Sequence, residues 1–157
     1  MIICGYQGIG KSTASCGNGF IDLESGNFFV DGERSPDWYI PYCNIALSLS
    51  EQGNVVFLSS HMVVRDYLAS LPRTEEPLII CPSLELECQW VDRLKKRYED
   101  SQLEKDYRAY MNAVDRYSEN IQELMNQEGF TKLIIKTMDY DLIDMVKEYK
   151  KRQKTDQ

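Results

Sequence analysis

The feature that most restricts how this chain can fold stands at its start. There the apolar run Met1-Ile2-Ile3-Cys4 passes without a spacer into Gly5-Tyr6-Gln7-Gly8-Ile9-Gly10-Lys11-Ser12-Thr13. An apolar run of this kind reads as a short buried strand, and the glycines after it as a tight loop. Gly5, Gly8 and Gly10 carry no Cβ, so the backbone can turn sharply and bring its N–H groups close to an anion. A helix beginning near Gly10 would aim its unpaired amides and the positive end of its dipole at the same point. Lys11 adds a mobile positive charge for β- and γ-phosphates, and Ser12 a hydroxyl for Mg²⁺. The pattern Gly, four residues, Gly-Lys-Ser therefore predicts binding of ATP or GTP phosphates, with Gly5, Gly8, Ile9, Gly10, Lys11, Ser12 and Thr13 as the contact set.

With 157 residues, 43% of them hydrophobic, the chain can bury roughly two thirds of its unfolded surface, and we expect one domain over residues 1–157. The 18 basic and 25 acidic residues leave a net charge of −7, which argues against a broad nucleic-acid-binding face. The five cysteines (Cys4, Cys16, Cys43, Cys81 and Cys88) show no C-x-x-C spacing and read as reduced, mostly buried thiols of a cytoplasmic protein. No apolar stretch reaches the ~20 residues needed to span a bilayer. Too few residues precede Gly5 for a signal peptide, so no membrane association is expected.

After the loop, Lys11 to Cys16 can form only a short helix, because Gly17-Asn18-Gly19 breaks it. Phe20 to Leu23 reads as a second strand. Asp22 and Glu24 then fall at its carboxyl end, the place where open α/β sheets bind ligands. An aromatic, turn-rich segment with Asp31-Gly32 leads into a helix from about Trp38 to Gln52. Phe28, Trp38, Tyr39 and Tyr42 are either core or the wall of a pocket for a flat acceptor. Asn54 to Ser59 is a third strand. The helix after it, capped by Ser60 or His61, carries Arg65 one turn in, where a guanidinium can take an anionic substrate.

Pro77 to Pro82 gives a fourth strand, and Ser83 caps the next helix. Leu84, Cys88, Val91, Leu94 and Tyr98 read as its inward stripe, beside a second stripe of Leu86, Trp90, Arg93 and Arg97. The two arginines are either an exposed face or a phosphate clamp. From Leu103 to Gln127 the steps of 4 and 3 through Leu103, Tyr107, Tyr110, Val114, Tyr117, Ile121 and Leu124 predict one long helix with a heptad seam. That seam packs on the body of the protein or, as a minority reading, on a second copy, so monomer and homodimer both stay open. Phe130 to Thr137 is a fifth strand. Asp139 caps a last helix, with Leu142, Ile143, Val146 and Tyr149 inward and a basic end that frays. Five strands alternating with helices predict a three-layer α/β/α domain built on a parallel sheet.

This layout, with GYQGIGKST as its loop and WVDRLKKR in the helix after the fourth strand, resembles the small P-loop kinases of the nucleoside monophosphate kinase and shikimate kinase type, of the compact kind that bacteriophages encode. The resemblance implies a P-loop NTPase fold with strand order 2-3-1-4-5 and a small helical lid at about residues 93–116. It implies that Arg93 lies against the base or phosphates of ATP and that Arg97 touches the transferring phosphoryl group. Arg116, with Arg108 as a weaker match, becomes a later lid arginine, and Arg65 holds the acceptor phosphate. Asp22 is placed like the acceptor-binding acid of shikimate-type kinases, and the loop from Thr137 to Tyr140, with Met138, approaches the adenine. No aspartate ends the third strand, so Ser12, Ser59 or Asp22 would hold the water shell of Mg²⁺.

Together these readings predict a kinase that moves the γ-phosphate of Mg-ATP to a small acceptor, a nucleotide or nucleoside. Lys11, Asp22, Arg93, Arg97 and Arg116 form the catalytic set, Asp22, Glu24, Trp38, Tyr39 and Arg65 the acceptor site, and Ser12 with Asp22 the metal site. Asp22 orients or deprotonates an acceptor hydroxyl, or serves the metal if the acceptor is itself a phosphate. The competing expectation is an NTP-binding ATPase that regulates a protein partner. A polynucleotide end kinase is disfavoured by the acidic balance.

Overall fold

A computed structural model of the chain describes residues 1–17, 19–73 and 75–156; Asn18 of the Gly17-Asn18-Gly19 breaker lies outside the described residues. The described residues form β1 (Ile2–Gly5), α1 (Lys11–Ala14), β2 (Phe20–Asp22), α2 (Tyr39–Glu51), β3 (Val55–Ser59) and α3 (Met62–Ser70). There follow β4 (Leu78–Pro82), α4 (Glu87–Ser101), α5 (Glu104–Asn126), β5 (Thr131–Ile135) and α6 (Leu142–Thr155). All strand pairs are parallel, and the sheet order is β2-β3-β1-β4-β5. Every residue of β1 and β4 is buried. Successive side chains point to opposite faces, so continuous burial means that helices cover the sheet on both sides.

The order places β1 in the middle, with Cys4 opposite Leu58 on one side and Ile79 on the other. The chain leaves β1 in one direction through β2 and β3 and in the other through β4 and β5. The carboxyl end of β1 is thus flanked by the outgoing loops of both halves, and the glycine loop emerges there. Tyr42 of α2, fully buried, ties the neighbouring strand ends together: its hydroxyl donates to Leu23 O at 2.7 Å and accepts from Ser59 N at 2.9 Å. Of the aromatic group with two readings, Tyr42 is therefore core.

Several local expectations are corrected. α1 is one turn, shorter than Lys11 to Cys16, because Gly17 takes a left-handed φ of 104° just beyond it. The inward residues of α4 are Leu86, Trp90 and Leu94, while Leu84 and Cys88 face solvent. A 3-10 turn at Leu84–Leu86 shifts the helix phase, and burying an indole removes more apolar surface from water than burying a thiol. The heptad seam of α5 holds only in its second half, where Tyr117, Ile121 and Leu124 are buried. In the first half Leu103, Tyr107 and Val114 are exposed, and Asp106 and Ala113 point inward instead. Arg116, with φ −139° and ψ 21°, breaks the helix between the two halves and changes its phase.

Asp141, not Asp139, caps α6 by accepting from Asp144 N at 2.8 Å. The basic end of α6 stays helical to Thr155, supported by Arg152 pairing with Glu148. Cys4, Cys43 and Cys81 are buried, and burial pushes each thiol up to about 12; Cys16 and Cys88 are exposed. Among the described residues no helix is long and apolar enough to cross a membrane.

The double role of Tyr42 sets an expectation for stability. Tyr42→Phe leaves a carbonyl and an N–H at the β2–β3 mouth without their partner, and urea unfolding should show a loss of about 2 kcal/mol.

Candidate functional site

Gly5, Gly8 and Gly10 shape the loop in different ways. Gly8 has φ +85°, and a Cβ there would lie 2.9 Å from Leu94 Cδ2 and 3.2 Å from Trp90 Nε1. Gly10 has φ +103° and starts α1. Gly5 must admit Ile9, whose Cδ1 would stand 2.5 Å from an added Cβ. Gly8 and Gly10 sit in the left-handed region that favours glycine, and a Cβ at Gly5 or Gly8 would press on the Ile9 or Leu94 side chain, which would have to move.

Three side chains grip the loop from outside. Trp90 Nε1 donates to Gln7 O at 2.9 Å, Arg93 Nη1 to Gly8 O at 3.3 Å and Tyr140 Oη to Ile9 O at 2.8 Å. Arg93 also donates to Tyr140 Oη at 2.7 Å and lies over the Trp90 ring. In a trans peptide the carbonyl and the next N–H point in opposite directions. Turning the carbonyls of Gln7, Gly8 and Ile9 outward therefore turns the N–H groups of Gly8, Ile9 and Gly10 inward. Tyr6 N is bonded to Ile80 O and Ala14 N to Gly10 O; between them no backbone N–H of the loop has a partner among the described residues. Such a row of convergent, unanswered donors suits an anion.

At the loop's mouth, Lys11 Nζ donates to Gly5 O at 3.1 Å, and Ser12 Oγ donates to Asp22 Oδ2 at 3.1 Å. Burial holds the Lys11 pKa below the ordinary lysine value, with Asp22 acting against it. Burial likewise raises the Asp22 pKa, and Lys11 and the Ser12 hydroxyl pull it back. The structure thus brings together four elements that the sequence separates by a turn and a strand: free amides, an ammonium, a hydroxyl and a carboxylate.

These groups floor an open cleft of about 1350 Å³ at the carboxyl edge of the sheet. Gly5, Gly8, Gly10, Lys11, Ser12, Thr13, Asp22, Glu24, Ser59, Arg65, Arg93, Arg97, Arg108 and Arg116 all line it. Ile9 is buried beneath the loop. Trp38, Tyr39 and Met138 do not line the cleft: Trp38 packs on Tyr42 and His61, Tyr39 on Tyr67, and Met138 against the core. No family model matches the chain, and no curated protein or solved structure matches it either.

The arginines are held in different ways. Arg65 is buried, donating through Nε to Ser60 O at 3.0 Å and through Nη1 to Gln127 Oε1 at 2.6 Å, with Glu123 3.7 Å from Nη2. Arg97 pairs with the buried Asp106 at 2.7 Å. Arg108 and Arg116 pair with Glu104 and Glu119 on their own helix, at exposed positions where such pairs contribute little and exchange readily. Sequence reasoning missed Asp106 and Arg34, and it named Tyr140 only as the end of the Thr137 to Tyr140 loop, not as a partner of Ile9 O and Arg93. Only the aromatic neighbours of Arg34 carried a signal, since Asp106 and Tyr140 act through contacts across the fold.

The raised pKa of Asp22 has a consequence for stability. The folded protein holds the Asp22 proton more tightly than the unfolded chain does, so ionised Asp22 subtracts from stability once the pH exceeds its unfolded value. Asp22→Asn should raise Tm at neutral pH, and the gain should fade as the pH falls through the folded pKa to below the ordinary 3.8. Thermal scans across pH check both sign and direction.

Proposed function

We propose that the chain is a P-loop phosphotransferase that moves the γ-phosphate of Mg-ATP to a small acceptor, a nucleotide or nucleoside. The observation that carries this reading is the Ser12 to Asp22 hydrogen bond at the mouth of a glycine loop whose amides from Gln7 to Thr13 have no partners among the described residues. A hydroxyl and a carboxylate oxygen side by side suit a hard cation, and Mg²⁺ keeps water and phosphate oxygens as its other ligands. When bound, the ion neutralises charge on the transferring phosphoryl group.

The chain's own groups supply the rest. Loop amides and Lys11 receive the donor phosphates, replacing the Gly5 carbonyl as the partner of Lys11. Arg97 and Arg116 face the same cleft and can exchange their carboxylate partners for phosphoryl oxygens, which share their preference for a guanidinium fork. Arg93 holds the loop in shape. Asp22 and Glu24 line the acceptor side. Asp22, held above the ordinary carboxylate range by burial, can take the proton of an acceptor hydroxyl or hold the metal's water shell. With the donor phosphates and the acceptor fixed in line, positioning and charge neutralisation are most of what phosphoryl transfer asks of a protein.

The test is a screen of nucleosides, nucleoside monophosphates and small hydroxy acids for ADP production from Mg-ATP. Stimulation by one acceptor supports the reading, whereas turnover indifferent to every acceptor and raised by a protein partner replaces it with a regulatory ATPase. Lys11→Ala should abolish turnover. Asp22→Asn should keep ATP affinity while lowering acceptor phosphorylation roughly 100-fold or more; loss of ATP binding in that variant would assign Asp22 to the metal alone.

A further inference from the structure

Between β2 and α2 the chain leaves the sheet, makes a 3-10 turn at Ser25–Phe28 and folds into a small hairpin in which Val30 and Glu33 exchange backbone hydrogen bonds. Its turn residues Asp31 and Gly32 both have positive φ, 51° and 81°, the twist that a two-residue Asp-Gly turn favours. Arg34 follows directly and lines the cleft.

The setting of this arginine differs from that of the carboxylate-paired arginines of the cleft and resembles that of Arg93, which also lies on aromatic rings but is taken up by the glycine loop. The Arg34 guanidinium carbon lies 4.2 Å from the centroid of the Phe29 ring and 4.3 Å from that of Trp38, so two aromatic rings flank the group. Nη2 donates to Ser25 Oγ at 3.2 Å, and Nε is buried with no hydrogen-bond partner. Arg65, Arg97, Arg108 and Arg116 each meet a carboxylate; Arg34 meets none among the described residues. In a chain with 25 acidic residues, a half-buried cation of the cleft wall without an acidic partner is costly unless something anionic completes it, and because Nε is enclosed the group that can receive that anion is the outer Nη edge.

The surroundings agree. His61 packs edge-on against Trp38, and its pKa is lowered first by the crowded cleft wall and then by the charges of Arg34, Lys11 and Arg65. One stretch of wall therefore lies within the field of three cations. Arg65, which the kinase resemblance puts in charge of an acceptor phosphate, is already engaged by Ser60, Gln127 and Glu123.

We propose that Arg34, braced between Phe29 and Trp38, anchors an anionic group on the phosphoryl acceptor, which is therefore a phosphorylated or carboxylated small molecule and not a neutral nucleoside. This rests on the phosphotransferase reading for the word acceptor, and on the geometry around Arg34 for the anion. A guanidinium held by rings offers its edge, and its in-plane N–H groups match two oxygens of a phosphate or carboxylate. The hairpin fixes where that edge stands relative to Asp22 and the glycine loop.

Inorganic phosphate and acetate serve as separate probes. The readout is the Arg34 Nε–H resonance in NMR spectra, assigned by its loss in Arg34→Lys and followed in the wild type and in Lys11→Ala. The expected result is a saturable shift with one of the two ions in both proteins, the stronger ion naming the acceptor's anionic group. Calorimetry in the Lys11→Ala background should then show that Arg34→Gln weakens that ion about tenfold or more, with partial recovery in Arg34→Lys. An Arg34 resonance that ignores both ions, or drifts without saturating, overturns the inference, and because it is read in unaltered protein a misfolded variant cannot mimic it. The loop amides report separately. If they respond to Mg-ATP while Arg34 stays silent toward the anions, this inference alone fails; if Arg34 responds and the loop amides ignore Mg-ATP, the nucleotide reading alone fails.

Discussion

Three hydrogen bonds to consecutive carbonyls set the shape on which the rest of the cleft depends. Trp90, Arg93 and Tyr140 come from α4 and from the segment after β5, and they hold the carbonyls of Gln7, Gly8 and Ile9 away from the cleft. A glycine-rich segment left to itself samples many conformations, so its amides converge only if something outside constrains it. Here the constraint is built into the core: Trp90 is fully buried, and Gly8 approaches Leu94 so closely that no side chain fits between them. Gln7 extends the grip to α5 by donating to Ala109 O at 2.9 Å. The loop is thereby positioned by the same helices that carry the arginines.

The electrostatics of the cleft follow from a chain that is acidic overall. α1 has a single turn, so its dipole supplies little of the field at the loop, and the positive potential rests on side chains. Most of those cations are paired with nearby carboxylates, which keeps them oriented at the cleft wall. Lys11 and Asp22 lie within each other's field under partial burial, each opposing the other's shift.

The five strands and their parallel arrangement were readable because each is a compact apolar run, buried on both faces in β1, β3 and β4, whereas the strand order came only from the resemblance. The glycine loop was readable for a similar reason: its requirements are local. What escaped were features set by phase and by distant contacts. A single 3-10 turn before α4 put Leu86 and Trp90 inside in place of Leu84 and Cys88, and a break at Arg116 undid half of a regular heptad pattern. Asp106 looks like any surface acid in sequence, yet Arg97 and Ser101 draw it inside. Trp38 and Tyr39, candidates for a pocket wall, instead support the wall from behind, and the aromatic run around Arg34 made sense only once the hairpin had brought its rings to one point.

The break in α5 also divides that helix mechanically. Beyond Arg116 the rod is bolted to the body through Tyr117, whose hydroxyl reaches Ser83 O, and through Ile121 and Leu124. Before it, the rod leans on α4 through Asp106 and on the glycine loop through Ala109. The two halves of α5 thus hang on different sets of contacts, joined only where the helix is broken. The rim of the cleft is held separately from the residues that keep the sheet in register.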